Sequence, residues 1–358
     1  MFRRSLGKSR VVLGLLMVTV ILLVAASSAV LAADQKVYRW RAVSHQLAGT
    51  ARFEMTVVPF CKMVEKASNG RLIIEPFGAG ILFPVFDTFE AIQNGTVEMA
   101  MVWNGYWAGN DPVFALAGNI PGDPISDYGE HYYRISKTGP ILEKVYAKFG
   151  IKDLGGFDYG PPEILMTNKP LNTLADFKGM NIRSAGISGA FYTKLGASTV
   201  SLSAPEIYTA LQTGTVDGAE YNDWQVNKEI GLHEVTKYVI EPLLHQGSID
   251  DKELIVNPDV WNELPDDLKA IVMDARDAAR YLSAVAYHVG TKRAKMEWLE
   301  AGVKIVTLPE EEVAKGRKIA AELLLEYKKK SPECAEYINA YTEVLNELGY
   351  TEMANMLK

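Results

Sequence analysis

Arg183 closes the short segment Met180-Asn-Ile-Arg183. An Arg at the carboxyl end of a buried strand can offer two parallel N–H donors to a planar carboxylate, which a Lys cannot reproduce. Two further clusters follow strand-like runs: Glu220-Tyr-Asn-Asp-Trp224, with two acids and two aromatic rings, and Trp103-Asn-Gly-Tyr-Trp107. Open α/β sheets place ligands at strand ends. The interleaved Asn104, Gly105, Asn222 and Asp223 do not suit a core, so Trp103, Asn104, Tyr106, Glu220, Tyr221 and Trp224 are candidate cleft residues beside Arg183. Glu220 and Asp223 are also the acid and base that an exported hydrolase would use, although no nucleophile or oxyanion motif accompanies them. Other chemistry is missing. His45, His131, His233, His245 and His288 are scattered singly, and there is no His-Glu-x-x-His, Cys-x-x-Cys, Gly-x-Ser-x-Gly or phosphate-loop motif. With catalytic transition metals, serine hydrolysis and nucleotide binding unsupported, a binding module is the leading class.

These residues need a scaffold, and the pattern around them supplies one. A length of 358 residues suggests two domains. Val37 to Ala42 alternates like a strand, Thr50 to Ser68 carries apolar residues at helical spacing, and Asn69-Gly70 stops that helix before a second strand from Arg71. The segment Ala91-Ile-Gln-Asn-Gly-Thr-Val-Glu-Met-Ala is repeated as Ala210-Leu-Gln-Thr-Gly-Thr-Val-Asp-Gly-Ala, each with a Gly where a helix ends and φ must turn positive. Two related α/β lobes follow from that repeat. Between the copies, Thr173 is the expected N-cap of a short helix, and Pro205 opens another in its first turn. Beyond Val256 the character changes: Leu264 to Gly302 is one long helical stretch, Val303 to Thr307 a strand, and Pro309 to Gly349 helical again.

The composition is that of an ordinary globular chain, with 48% hydrophobic and 23% charged residues, which excludes collagen-like and disordered classes. Arg3, Arg4, Lys8 and Arg10 precede the apolar run Val11 to Val24 and the small-residue end Val30-Leu-Ala32, the pattern of a secretory signal cleaved after Ala32. Those four bases set aside, 33 basic side chains face 44 acidic ones, a net −11 that suits neither a nucleic-acid backbone nor a phosphate surface. No second apolar stretch of 18 residues follows, so no membrane insertion is expected after cleavage. Cys61 and Cys334 allow at most one bridge, and nothing in the sequence pairs them.

Three segments in order, Ala91 to Val102, Asn168 to Arg183 and Glu206 to Glu220, together resemble the extracytoplasmic solute-binding subunit of tripartite ATP-independent periplasmic (TRAP) transporters. The resemblance implies an α/β two-lobe periplasmic binding protein with a cleft between the lobes and long C-terminal helices bridging or flanking them. On that basis the chain divides into a leader (1–32), a first lobe (33–158, to which part of 250–310 returns), a second lobe (159–249) and helices over 258–358. It would capture a small organic acid in the periplasm, held by Arg183, and pass it to ion-driven membrane permease subunits; no obligatory cofactor is implied, and a homodimer is compatible. The binding subunit of an ATP-driven importer is the other transport reading. Trp107 to Pro112, Asn119-Ile-Pro-Gly122 and Gly231 to Tyr238 are most similar to the branch that binds 2-oxo or 2-hydroxy monocarboxylates. In that branch a cation, calcium or sodium, is held at the positions of Glu220, Tyr221 (through its carbonyl), Glu163 and Gln246. The chain departs from it in two ways: the branch has Gln at Glu163 and Glu at Gln246, an exchange that preserves the charge, and often Trp at Tyr221.

Overall fold

The structure is a computed structural model that describes residues 36–358, so the leader read at 1–32 lies outside the described residues. In chain order the first lobe contains β1 (Tyr38–Ser44), α1 (Val58–Ala67), β2 (Leu72–Phe77), α2 (Thr88–Gln93), β3 (Met99–Val102), α3 (Pro112–Gly118), α4 (Tyr128–Lys148) and β4 (Lys152–Gly160). The second contains β5 (Ile164–Thr167), β6 (Asn181–Arg183), α5 (Gly186–Lys194), β7 (Ser198–Val200), α6 (Ala204–Thr213), β8 (Gly218–Tyr221), α7 (Trp224–Glu229) and β9 (Tyr238–Glu241). The chain then returns through β10 (Asp250–Val256), α8 (Pro258–Glu263), α9 (Asp266–Glu300), β11 (Lys304–Thr307), α10 (Glu310–Lys328), α11 (Pro332–Glu347) and α12 (Thr351–Met356).

Two mixed sheets result, in orders β2-β1-β3-β10-β4 and β11-β9-β5-β8-β6-β7. The return strand β10 runs antiparallel between β3 and β4, while β11 extends the second sheet beside β9. The chain therefore crosses between sheets repeatedly, at 160–164, 241–250 and through α9. Both copies of the repeat form a helix, a glycine turn and a strand: α2 to β3 through Gly95 (φ +67°) and α6 to β8 through Gly214 (φ +73°). Local chemistry sets the ends of these elements. Ser203 and Glu206 form a reciprocal capping box on α6, and Thr173 and Asp176 form one on the helical turn at Leu174–Phe177. The helical stretch from Pro309 to Gly349 is divided in two, because Ser331 caps a new start at Cys334 N and Pro332 occupies its first turn.

α9 is 35 residues long, about 52 Å at 1.5 Å per residue. Its Leu268, Val272, Ala275 and Ala279 join the first lobe's core with Phe60, Val64 and Leu254, whereas Ala294 and Trp298 join the second lobe's core with Ile207, Ala219 and Val239. Cys61 and Cys334 are both buried, free thiols in different clusters. No helix among the described residues is long and apolar enough to cross a membrane.

Candidate functional site

The carboxyl ends of β3, β6 and β8 meet where the lobes touch. Arg183, at the end of β6, is 3% exposed. Its Nε and Nη2 donate to the Leu202 carbonyl (3.1 and 2.9 Å) and Nη1 to the Glu220 carbonyl (2.6 Å). Three of the five guanidinium N–H groups are thus given to neutral backbone acceptors, which fix the plane of the group without cancelling its charge. Its face lies over Tyr221, 5.0 Å from the ring centroid, and the Tyr106 hydroxyl of the first lobe interacts with it across the cleft. Tyr106 stacks edge-on with Trp103 (5.0 Å) and Phe86 (5.1 Å), and Trp103 is anchored by Nε1 to the Gly118 carbonyl at 3.1 Å.

Below the arginine is a buried acidic pair. Glu220 accepts from the Ser184 hydroxyl and interacts with Glu163, while Glu163 lies 3.5 Å from the Lys252 ammonium, which reaches in from β10. Burial, and then Glu163, pushes the Glu220 carboxyl well above its ordinary value. Burial alone would raise Glu163, but the Lys252 ammonium, the hydrogen bond with Glu220 and the Arg183 charge together outweigh it and hold Glu163 at about 2. Of the two, Glu220 is the one that favours the proton and Glu163 the one that favours the charge. Two oxygens here, Glu220 Oε1 and Gln246 Oε1, are buried without a hydrogen-bond partner. Gln246 is oriented by its amide nitrogen, which donates to the Glu163 carbonyl at 3.0 Å. Burial pushes His45 down to about 3 and His245 to about 4, so both are neutral. His45 donates from Nδ1 to the Met101 carbonyl and accepts from Gln46 Nε2, and Gln46 Oε1 accepts from Asn222 Nδ2 (2.9 Å), a chain that crosses from one lobe to the other.

The structure thus brings together Arg183, Glu220, Tyr221, Trp103, Tyr106, Glu163 and Gln246. Asn104 is adjacent but committed, its Oδ1 accepting from Tyr146. Trp224 is not in the cleft: Asp223 caps α7, which places Trp224 in the helix's first turn and turns its ring 5.4 Å from Trp298 in the second lobe's core. The hydrolase pair is also separated. Asp223 accepts from two N–H groups of α7 and from Arg52 Nε (3.0 Å), whereas Glu220 faces Ser184 and Glu163. Sequence reasoning missed Lys252, Ser184 and Arg52. The charged run Asp251-Lys-Glu253 within an apolar strand was the available signal for the first. Arg52, fully buried, binds Asp223 of the second lobe, Asp158 (3.3 Å) and the Pro161 carbonyl (2.9 Å), and lies over the Tyr287 ring of α9.

The lobes are in close contact at two glycines. A Cβ at Gly186 would come within 3.3 Å of Gly105 Cα and of the Trp103 ring, and one at Gly105 would come within 2.2 Å of that ring. Gly105→Ala is expected to displace the indole at an overpacking cost of about 1–3 kcal/mol. Calorimetry should then read ligand affinity about ten- to a hundredfold weaker, with the far-UV circular dichroism retained.

The family described as bacterial extracellular solute-binding protein, family 7, matches residues 43–330. A monocarboxylate 2-oxoacid-binding periplasmic protein of Nostoc sp. is 27% identical over 267 residues, 74% of this chain and 72% of its own. A TRAP periplasmic solute-binding protein of Pseudoalteromonas atlantica, solved with sodium and pyruvate bound, superposes with a TM-score of 0.79 at 25% identity, covering 89% of this chain and 98% of its own. One from Colwellia psychrerythraea, solved with calcium and pyruvate, shares the fold with a TM-score of 0.81 at 23% identity over the same shares of the two chains. With two lobes closing on a buried arginine and a family match spanning both sheets, the chain belongs to the family 7 bacterial extracellular solute-binding proteins, of the TRAP type.

Proposed function

We propose that this protein captures a 2-oxo or 2-hydroxy monocarboxylate, with a cation beside it, in the periplasm and delivers it to an ion-gradient-driven permease. The observation that carries the proposal is the charge inventory of the closed cleft. Arg183 and Lys252 are cationic, the Glu163–Glu220 pair favours a single negative charge centred on Glu163, and His45, His245 and Tyr106 favour their neutral forms. One net positive charge is left to receive one carboxylate. Arg183, held by backbone carbonyls, keeps N–H groups for that carboxylate, and Tyr106 closes over it from the other lobe.

The donor set also fits a cation. Glu220 Oε1 and Gln246 Oε1 are buried and unpartnered, and Glu163 faces Glu220, so Glu163, Glu220, Gln246 and the Tyr221 carbonyl would hold a sodium or calcium ion. When bound, that ion supplies positive charge beside the ligand's carboxylate and its 2-oxygen. Exchange of a Glu220 proton for sodium would keep the charge balance, whereas exchange for calcium would add one positive charge. The relatives named above support the ligand class: the Nostoc protein is named for 2-oxoacids and the Pseudoalteromonas protein holds pyruvate with sodium.

Thermal shift and calorimetry over pyruvate, longer 2-oxo acids, 2-hydroxy acids and dicarboxylates test this. The expected result is saturable stabilisation by monocarboxylates, about 2.7 kcal/mol at a hundredfold excess over Kd. Affinity should fall when the protein is stripped with chelator and assayed without sodium. Stabilisation by dicarboxylates alone, or by none of these acids, would overturn the ligand assignment; unchanged affinity in the stripped protein would overturn the cation.

A further inference from the structure

Away from the cleft, a surface cavity of about 470 Å³ opens between α4, the edge strand β4, α8 and α9. Three carboxyl groups line it: Glu143, paired with Lys152, and the buried Asp153 and Glu253, which are 6% and 3% exposed. The register, Ile255 opposite Asp153 and Glu253 opposite Gly156, puts both on one face of the sheet. Asp153 accepts from Gly155 N–H at 2.7 Å, but Glu253 Oε2 is buried with no partner. The bases on the rim are engaged elsewhere: Lys152 with Glu143, and Arg276 with the Leu154 carbonyl and Asp277. Burial, then the charges of Asp153 and Asp251, pushes Glu253 well above its ordinary value, against the opposing pull of Arg276 and Arg280. Burial raises Asp153 as well, to about 7, so without a counter-charge both groups favour the neutral acid, and the cavity beside them gives room for a cation that would draw Glu253 into its ionised form.

We propose that this cavity binds a small organic cation, a primary ammonium or guanidinium compound, with Glu253 and Asp153 as acceptors for its N–H groups and Trp261 and Met273 as its apolar wall. The volume lies within the range of small-molecule sites, roughly 300–1,000 Å³. A charge-assisted N–H bond to a carboxylate is among the stronger polar contacts, and an indole ring attracts a cation held near it. A metal ion fits less well. Asp153 is turned to the Gly155 N–H and Glu143 to Lys152, which leaves few oxygens for calcium, whose shell takes about six to eight. Gly139 of α4 lines the same cavity, where an added Cβ meets nothing nearer than Ile135 at 4.0 Å, so a longer side chain there has space to enter it.

The exported chain would be titrated with 1,4-diaminobutane and with butylguanidinium, followed by calorimetry and thermal shift. Saturable binding is expected, weakened about tenfold or more in Glu253→Gln, which removes the anionic acceptor and keeps the shape. Gly139→Met, which fills the cavity and leaves both acids in place, is expected to abolish it, with the circular dichroism and unfolding midpoint measured without probe confirming the fold of both variants. Absence of saturable binding to the wild-type chain would overturn the proposal, as would binding that survives either substitution. A stabilisation by calcium chloride that Glu253→Gln removes would also overturn it, in favour of a metal site.

Discussion

Arg183→Met is expected to remove carboxylate binding while leaving a folded protein. Truncating one partner of a buried, hydrogen-bonded charge pair costs about 2–5 kcal/mol, or roughly thirty- to several-thousandfold in affinity. The lower end does not apply here, because the loss also changes the sign of the cleft. Without the guanidinium, Lys252 balances Glu163 alone, and an incoming anion meets no net positive charge. Arg183→Lys is expected to rescue little: one ammonium cannot span the Leu202 and Glu220 carbonyls and still present two parallel donors to a ligand. Calorimetry with the best ligand of the panel reads the affinity, and circular dichroism reads the fold. Wild-type affinity in Arg183→Lys would show that charge alone suffices and that the carbonyl anchoring is incidental.

The second large effect falls on stability. Arg52 is fully buried and faces Asp158 and Asp223, which are 3% and 1% exposed. Arg52→Met leaves both carboxylates and the Pro161 carbonyl without that donor, and breaking a buried ion pair from one side costs about 3–5 kcal/mol. Denaturant unfolding should show that loss. The triple variant with Asp158→Asn and Asp223→Asn should recover part of it, because no carboxylate is then left uncompensated. If Arg52→Met alone unfolds at the wild-type midpoint, the cluster is not what ties the lobes, the crossing strand and α9 together at this point.

The contrast between these two arginines shows what a one-dimensional pattern can carry. Arg183 was legible because it ends a strand, and strand ends in open sheets meet the cleft. Glu220 was legible because it extends the repeated helix-turn-strand unit. Trp224 looked equivalent to them, yet Asp223 starts a helix one residue earlier, and the first turn of that helix sends the ring into the core rather than the cleft. Arg52 sits in a helical stretch among Ala51, Phe53 and Val57, where a lone base reads as a solvent-facing residue; its partners lie 106 and 171 positions away. Lys252 is placed by a strand pairing between two crossings of the chain, and its acceptor is 89 residues distant. Features set by local turn chemistry survive in the sequence. Those set by which strand returns to which sheet do not.

Because residues 268–279 of α9 are built into one lobe's core and residues 294–298 into the other's, relative rotation of the lobes has to be absorbed within the four turns between them. That stretch is not slack. Ser283 and Tyr287 are buried in it, Tyr287 bonds the Arg52 carbonyl at 3.2 Å, and the Gln225 side-chain amide lies against Gly290, where an added Cβ would displace it. A helix held in both cores in this way resists bending like a leaf spring clamped at both ends, and any opening of the lobes would have to work against that stiffness. Affinity for the solute is then not a property of the cleft alone: two proteins with identical cleft residues but different middle turns in this helix would hold the same ligand with different strength.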